Sequence, residues 1–465
     1  MAQPSRRLLR VIFAVVLVLS AGAVAGSYAT AKANLAETES DDSAVRLEER
    51  LNRSTVDDSA AATAGLTVVA TQGFYVSDEQ AELVAVSESG EVVYYDDTYR
   101  VYFDVDPVPE KRFTVDYLAS KHRNGTDCSS VPTERCTYNV FTRVNLTTGE
   151  EREIYGEVTP RIYSARWHDI DWYNDTHIVV ADIVQDSLRL VDTRTDETTW
   201  RWNASRIYDR DQGGKSGDWT HVNDVEVTPD GRIVASMRNM DQVVFVEPGE
   251  GADENWTLGE DDDYDVLYEQ HNPDYVPASD GGPAILVADS ENGRVVEYQR
   301  TDGEWTRTWG WRDSRLQWPR DADRLPDDNT LIVDTHGDRV VEVAPDGEVV
   351  WNVTIGMPYD VERLGTGDES TGGRSTTAIG RSDGTITSPD AGLVASFWLG
   401  LKELVPSLVV NGLLYSAPSW VRFTDLAFAF AFLVGLLGWL TSEVYWSRYS
   451  PVAFVRSLPD RVRSV

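Results

Sequence analysis

Residues 168–192 read HDIDWYNDTHIVVADIVQDSLRLVD, and residues 221–247 read HVNDVEVTPDGRIVASMRNMDQVVFVE. Residues 271–299 read HNPDYVPASDGGPAILVADSENGRVVEYQ, and residues 318–344 read WPRDADRLPDDNTLIVDTHGDRVVEVA. Laid over one another, each starts on a polar position, turns, and runs through an apolar strand. It then turns again into a Val-rich strand, and a fourth strand often follows, as at Glu348-Val349-Val350-Trp351. Pro229-Asp230-Gly231 and Pro345-Asp346-Gly347 are turn signals. Four short strands in roughly 40–50 residues is the period of a propeller blade.

Working outward, two less regular units fit residues 66–100 and 101–160, with strands at Leu83-Val84-Ala85-Val86, Glu91-Val92-Val93-Tyr94-Tyr95 and Tyr138-Asn139-Val140-Phe141. Residues 357–364 (MPYDVERL) supply a strand that can close the ring against the N-terminal unit. The fold class expected is all-β, a six-bladed β-propeller over residues 66–365, with N-terminal and C-terminal transmembrane helices. In this fold the starts of the innermost strands and the turns between strands two and three open on one face. His168, His221 and His271 should therefore converge there with Val184, Arg238, Glu291 and His336, while the Pro-Asp-Gly turns open on the other face.

The 465 residues carry a formal net charge of −35, from 77 acidic and 42 basic residues. Such a surface repels nucleic acid, so no nucleic-acid partner is expected. Residues 1–34 carry four basic residues and no acid, and residues 444–465 have a net charge of +3, which leaves −42 between them. Only five basic residues are lysines. An acidic, arginine-over-lysine body suits a halophilic protein in molar salt, where the Debye length falls to about 3 Å.

Residues 11–31 (VIFAVVLVLSAGAVAGSYATA) are uncharged and follow Arg6, Arg7 and Arg10. Residues 1–34 read as a signal peptide or an N-terminal anchor. Residues 35–65 read as a linker, 366–390 as a Gly/Ser/Thr-rich linker, and 391–416 as an amphipathic interfacial helix. Residues 423–446 read as a transmembrane helix, followed by a basic cytoplasmic tail at 447–465. The basic ends place both termini in the cytoplasm and the main domain outside the cell membrane, with the lipid bilayer as a partner. Glycosylation sequons at Asn52, Asn124, Asn145, Asn174, Asn203, Asn255 and Asn352 all fall between the membrane segments. Cys128 and Cys136 are the only cysteines, and outside the cell they are expected to form a disulfide.

Six histidines occur, at 122, 168, 177, 221, 271 and 336. Three share one register in successive blades, where the fourth unit has Trp318. With Arg238 they suggest a cationic pocket for a small tetrahedral anion such as a sulfate or phosphate ester. No metal site is expected, because no HExxH or closely spaced pair exists and Arg238 would repel a cation.

Trp219-Thr220-His221-Val222-Asn223, then Ser236-Met237-Arg238, then Gln270-His271, with Trp167-His168-Asp169-Ile170 upstream, resemble the arylsulfate sulfotransferases over roughly residues 160–360. That resemblance implies a six-bladed propeller moving a sulfuryl group from an aryl sulfate donor to a phenolic or glycan hydroxyl acceptor, without a nucleotide, metal or redox cofactor. It implies that His271 is the nucleophile and becomes transiently sulfated. It also implies that His221, His168 and Arg238 bind the sulfuryl oxygens and assist proton transfer, and Asn223 and His336 are expected to contact substrate. Asn272-Pro273 and the C-terminal span depart from the bacterial enzymes, and there is no room for their separate N-terminal β domain. The rival reading is a non-catalytic surface propeller acting as a binding or scaffold module. A quinone-dependent dehydrogenase is weaker, because neither a repeated tryptophan docking signature nor a calcium site is evident.

Overall fold

Each quoted segment forms the antiparallel sheet that its pattern implies. The computed structural model describes residues 5–38, 65–73, 81–381, 384–387, 393–402, 404–418 and 420–446. Asn52, most of the 35–65 linker and the 447–465 tail lie outside the described residues. The inner strands of the four quoted units are Ile170–Asn174, Val222–Val227, His271–Val276 and Pro319–Arg324. Three further strands follow each, ending with Glu197–Asn203, Gly251–Ala252, Glu304–Arg312 and Val349–Thr354. Residues 101–160 build another four-stranded blade, from Val101–Pro107 to Glu150–Pro160. In the Pro-Asp-Gly turns, Gly231 and Gly347 sit at φ 85° and 89°, a region open to glycine at little cost.

The sixth blade is composite. Pro358–Arg363 pairs antiparallel with Thr67–Thr71, setting Glu362 opposite Val68 and Val361 opposite Val69. It becomes the innermost strand of a sheet completed by Leu83–Val86 and Val92–Asp96. The ring is thus closed by strands nearly 300 residues apart in the chain, giving a six-bladed β-propeller.

Inner strands of neighbouring blades share no backbone ladder, so side chains must satisfy their free N–H groups. Carboxylates do this around the axis. Asp360 accepts from Val105 N–H at 2.7 Å, Asp104 from Ile170 at 3.4 Å and Asp169 from Val225. Asp171 accepts from Val227 at 2.6 Å, Glu226 from Tyr275 at 2.6 Å and Asp321 from Val361 at 3.1 Å. Much of the acidity of this chain is therefore internal, which its composition did not disclose.

Between the blades the outward and inward faces of the strands interdigitate. Val179, Leu188 and Trp202 of one blade pack on Val222, Ile233 and Val246 of the next. Each large side chain buried this way contributes about 1.5–3 kcal/mol. In the blade of residues 101–160, Cys128 and Cys136 form a disulfide with Cα atoms 5.6 Å apart, both side chains buried. Closing so short a loop removes chain entropy worth about 2–3 kcal/mol. Replacing both cysteines by serine is expected to lower the Tm by roughly 5–10 °C in thermal unfolding. An unchanged Tm would show that the cross-link carries no stability.

Two expectations for the C-terminal part need correction. Residues 366–381 are not a free linker: Ser375 N–H donates to Asp280 O at 3.0 Å, and Thr376 N–H and Oγ1 bond Glu297 at 2.8 and 2.6 Å. Gly384–Thr387 then adds a parallel strand outside Glu304–Arg312. These polar residues look like a tether in composition, but they satisfy buried groups at the propeller's lower face. The single helix expected over 391–416 is two, Leu393–Lys402 and Ser407–Tyr415, since Pro406 cannot continue the first. The second helix buries Val410, Asn411 and Leu414.

The chain divides into two units, residues 46–416 and residues 1–45 with 417–465. In the second unit the helices Arg6–Thr38 and Phe423–Trp446 run antiparallel. Arg10 Nη2 meets Glu443 Oε2 at 2.6 Å, Phe13 stacks on Trp439 at 6.4 Å, and Tyr28 meets Trp420 at 5.4 Å. A side chain at Gly435 would press within 3.2 Å of Val16, so glycine permits this close approach. Arg6–Thr30 and Phe423–Trp446 are each long and apolar enough to cross a bilayer.

Candidate active site

His168, His221 and His271 converge at one end of the axis. The rings of His168 and His221 lie 5.0 Å apart, and those of His168 and His271 each lie 6.0 Å from Tyr359. The convergence follows from strand geometry, since each histidine stands at or just before the start of an inner strand. The backbone pays locally for this turn inward: His221, Asn272, Trp318 and Met357 have φ values of 47°, 37°, 61° and 50°. Such left-handed residues are costly for a side chain with a Cβ, and they cluster at functional sites. Asn is among the residues that tolerate this region best, which accounts for Asn272 after His271.

His271 is buried, 1% exposed. Its Nδ1 lies 3.1 Å from Glu269 O and 2.9 Å from Ser290 Oγ. Ser290 Oγ itself donates to Pro319 O at 2.6 Å, so Nδ1 carries the proton and Nε2 keeps its lone pair. Nη1 of Arg320 lies against the edge of the His271 ring, 2.8 Å from Nδ1 and in contact with Nε2. Burial, then Arg320 and Arg238, hold His271 well below the usual imidazole range. His168 is lowered similarly by burial and then His221, and its Nδ1 has no hydrogen-bond partner. His221 is lowered by burial and Arg238, against an opposing 2.6 Å bond from Nδ1 to Asp218. The three imidazoles are therefore neutral near pH 7, and the positive charge of the pocket comes from arginine rather than histidine.

Arg320 is the residue that the sequence reading missed. It is 4% exposed and stacks on Trp318, with Cζ 3.5 Å from the ring centre. Among the described residues it forms no ion pair with a carboxylate, and its Nε has no partner. Burial pushes it down to about 10, so it remains a cation. A signal was present: Asp171, Asp224, Asp274 and Asp321 each stand three residues after the first residue of their repeat segment, His168, His221, His271 and Trp318. Arg320 occupies the slot before that aspartate, where the other three segments have Ile170, Asn223 and Pro273. Phe103 and Tyr359 hold the slot before Asp104 and Asp360 in the remaining blades, and both face His168.

Arg238 opens a short 3₁₀ turn, Arg238–Met240, and is paired with Glu269. Asn223 donates from Nδ2 to Gln270 O at 3.1 Å, so it braces the peptide next to His271. His336 stacks on Trp318 at 4.5 Å and is pushed down to about 3 by burial and Arg320. Both residues buttress the pocket through neighbours. Glu291, from the same rim, accepts from Trp318 Nε1 at 2.9 Å, while Val184 packs into a hydrophobic cluster away from this group. The helix Ser407–Tyr415 covers this rim, with Asn411 donating to Glu291 at 2.9 Å and bonding Gln317. Its Leu408 joins Arg238, Asp218, Tyr264 and Tyr268 around a cavity of about 420 Å³. His122, by contrast, lies against Tyr163 beside the disulfide turn.

His168, His221, His271 and Arg320 thus gather at one end of the axis, with Asp218 bonded to His221 and Arg238 on the adjoining rim. This arrangement suits transfer of a group bearing anionic oxygens. No curated protein matches the sequence. Among solved structures, a protein of unknown function from Bacteroides caccae is similar at 11% identity and a TM-score of 0.45, covering 65% of this chain and 100% of that one. A putative 6-phosphogluconolactonase from Bacteroides fragilis is similar at 10% identity and a TM-score of 0.42, covering 65% and 98%. Neither likeness bears on the chemistry. The sequence profile of the arylsulfotransferase (ASST) family matches residues 52–308, a stretch holding His168, His221, Arg238 and His271. The chain belongs to the arylsulfotransferase family.

Proposed function

We propose that this protein is a membrane-anchored external sulfotransferase that passes a sulfuryl group from an aryl sulfate ester to a phenolic or glycan hydroxyl through sulfohistidine at His271. One observation carries the reading: a buried guanidinium, Arg320, with no carboxylate partner, bonded to the lone-pair nitrogen of a neutral histidine. A buried unpaired charge is costly, and a sulfuryl group between Arg320 and Arg238 would neutralise it.

In the first half-reaction Nε2 of His271 attacks sulfur, the N–S bond forms, and the S–O bond breaks with its electron pair leaving on the aryl oxide. Arg320, Arg238 and the partnerless His168 stabilise charge on the sulfuryl oxygens. In the second half, the acceptor oxygen attacks the same sulfur and the N–S bond breaks. His221 takes the acceptor proton, with Asp218 stabilising the resulting imidazolium, and gives it to solvent or to the aryl oxide that leaves in the next turnover. Tyr268, stacked on Tyr264 at 4.0 Å in the adjoining cavity, is placed to receive an aryl ring.

Incubation with nitrophenyl sulfate and a phenol is expected to release nitrophenol with ping-pong kinetics. Mass spectrometry of the donor-treated enzyme should find sulfate on His271. A labelled residue elsewhere, or sequential kinetics, would overturn the mechanism. The convergence of the three histidines supports this reading over a non-catalytic module, for which dispersed side chains are expected. The antiparallel terminal helices support placing both termini on one side of the bilayer. The disulfide and the six unburied sequons from Asn124 to Asn352 support an external propeller.

A further inference from the structure

Most of the axial carboxylates cap backbone N–H groups, as described above. One cluster still has buried oxygens left over, even though Asp321 Oδ2 caps Val361. Asp274, Asp321, Asp323 and Glu369 each bring one carboxylate oxygen within 4.8 Å of all the others. Asp274, Asp321 and Asp323 are 2%, 0% and 1% exposed. Both oxygens of Asp323 and Oδ1 of Asp321 are buried with no hydrogen-bond partner. The nearby cations are engaged elsewhere: Arg324 pairs with Glu297 at 3.0 Å and Arg363 with Glu342 at 2.8 Å.

We propose that Asp274, Asp321, Asp323 and Glu369 hold one calcium-type divalent cation on the propeller axis. Buried, unpaired carboxylates facing one another require a counter-charge, and an all-oxygen, all-carboxylate set selects a hard cation. The number of carboxylates discriminates between the two common candidates. Calcium takes about six to eight oxygens and accepts several carboxylates, whereas magnesium keeps most of its waters and takes one or two.

The strap of residues 366–381 completes the site. It delivers Glu369, whose N–H is held by Glu362 at 2.7 Å, and its Ser370 hydroxyl bonds Asp274. A route to solvent exists on the face opposite the histidines. A cavity of about 790 Å³ there is lined by Asp106, Asp171, Glu226, Asp368 and Glu369. Without a cation, burial and mutual repulsion push these carboxyls upward, Asp274 to about 7 and the others well above their usual range.

The test uses the full-length protein in detergent, stripped with EDTA and kept at constant ionic strength. Elemental analysis after adding calcium chloride should find one calcium per chain, absent from Asp323→Asn. Calcium at about 100-fold over its Kd should raise the Tm of the native protein by about 5–10 °C. Asp323→Asn and Glu369→Gln should lose this response, and their metal-free Tm should equal or exceed that of the native protein, because repulsion is relieved. No bound calcium, or calcium bound equally by both variants, would overturn the site. An equal Tm response to magnesium would overturn its assignment to calcium.

Discussion

Replacing His271 by alanine is expected to reduce nitrophenol release from nitrophenyl sulfate by roughly 10⁴-fold or more, to the level set by the remaining pocket. The size of the effect follows from the geometry. Nε2 of His271 has its lone pair set by a bonded Nδ1 and lies against a buried guanidinium, which must turn to the sulfuryl oxygens as attack begins. His221 is instead paired through Nδ1 with Asp218, the arrangement of a proton acceptor. Loss of a fully buried ring costs about 1–3 kcal/mol of stability, which thermal unfolding would register without loss of the propeller. Turnover that survives in folded His271→Ala would refute covalent catalysis at this residue.

The second large effect is at Arg320. Arg320→Gln is expected to lower kcat by about 10²–10³-fold, the scale for removing a preorganised charge from a transferring group. Arg320→Lys should recover only part of this, because lysine keeps the charge but neither the planar fork nor the stack on Trp318. The pH profile separates this role from a merely structural one. Neutral His271 is the reactive form, and Arg320 is the largest charge that lowers it after burial itself. In the native enzyme the acid limb of kcat should lie below the ordinary imidazole range near 6.5. Without Arg320 the imidazole is easier to protonate, so the limb should move up in pH. A fall in kcat with an unmoved limb would make Arg320 a packing residue.

Much of this architecture could be read from residues alone because its signals are local and periodic. The Val-rich pairs at 178–191, 233–246, 285–298 and 331–343, two of them flanked by Pro-Asp-Gly turns, each state strand, turn, strand in one short window. Histidines recurring in one register then follow the strands to a common axis. Residues 366–390 were opaque for the opposite reason. Gly, Ser and Thr describe a tether equally well as a strap, and only the buried Glu297 that accepts from Thr376 distinguishes them.

Local pattern was thus sufficient for the six blades, the apolar helices and the histidine ring. It could not reveal charge state, since a histidine becomes neutral and an arginine becomes unpaired only through burial among specific neighbours. Nor could it show that Asp274, Asp321, Asp323 and Glu369 meet, because they come from two inner strands and a strap that only ring closure brings together. Spacing along a chain records which residues share a strand face, whereas electrostatics depends on distances across the axis.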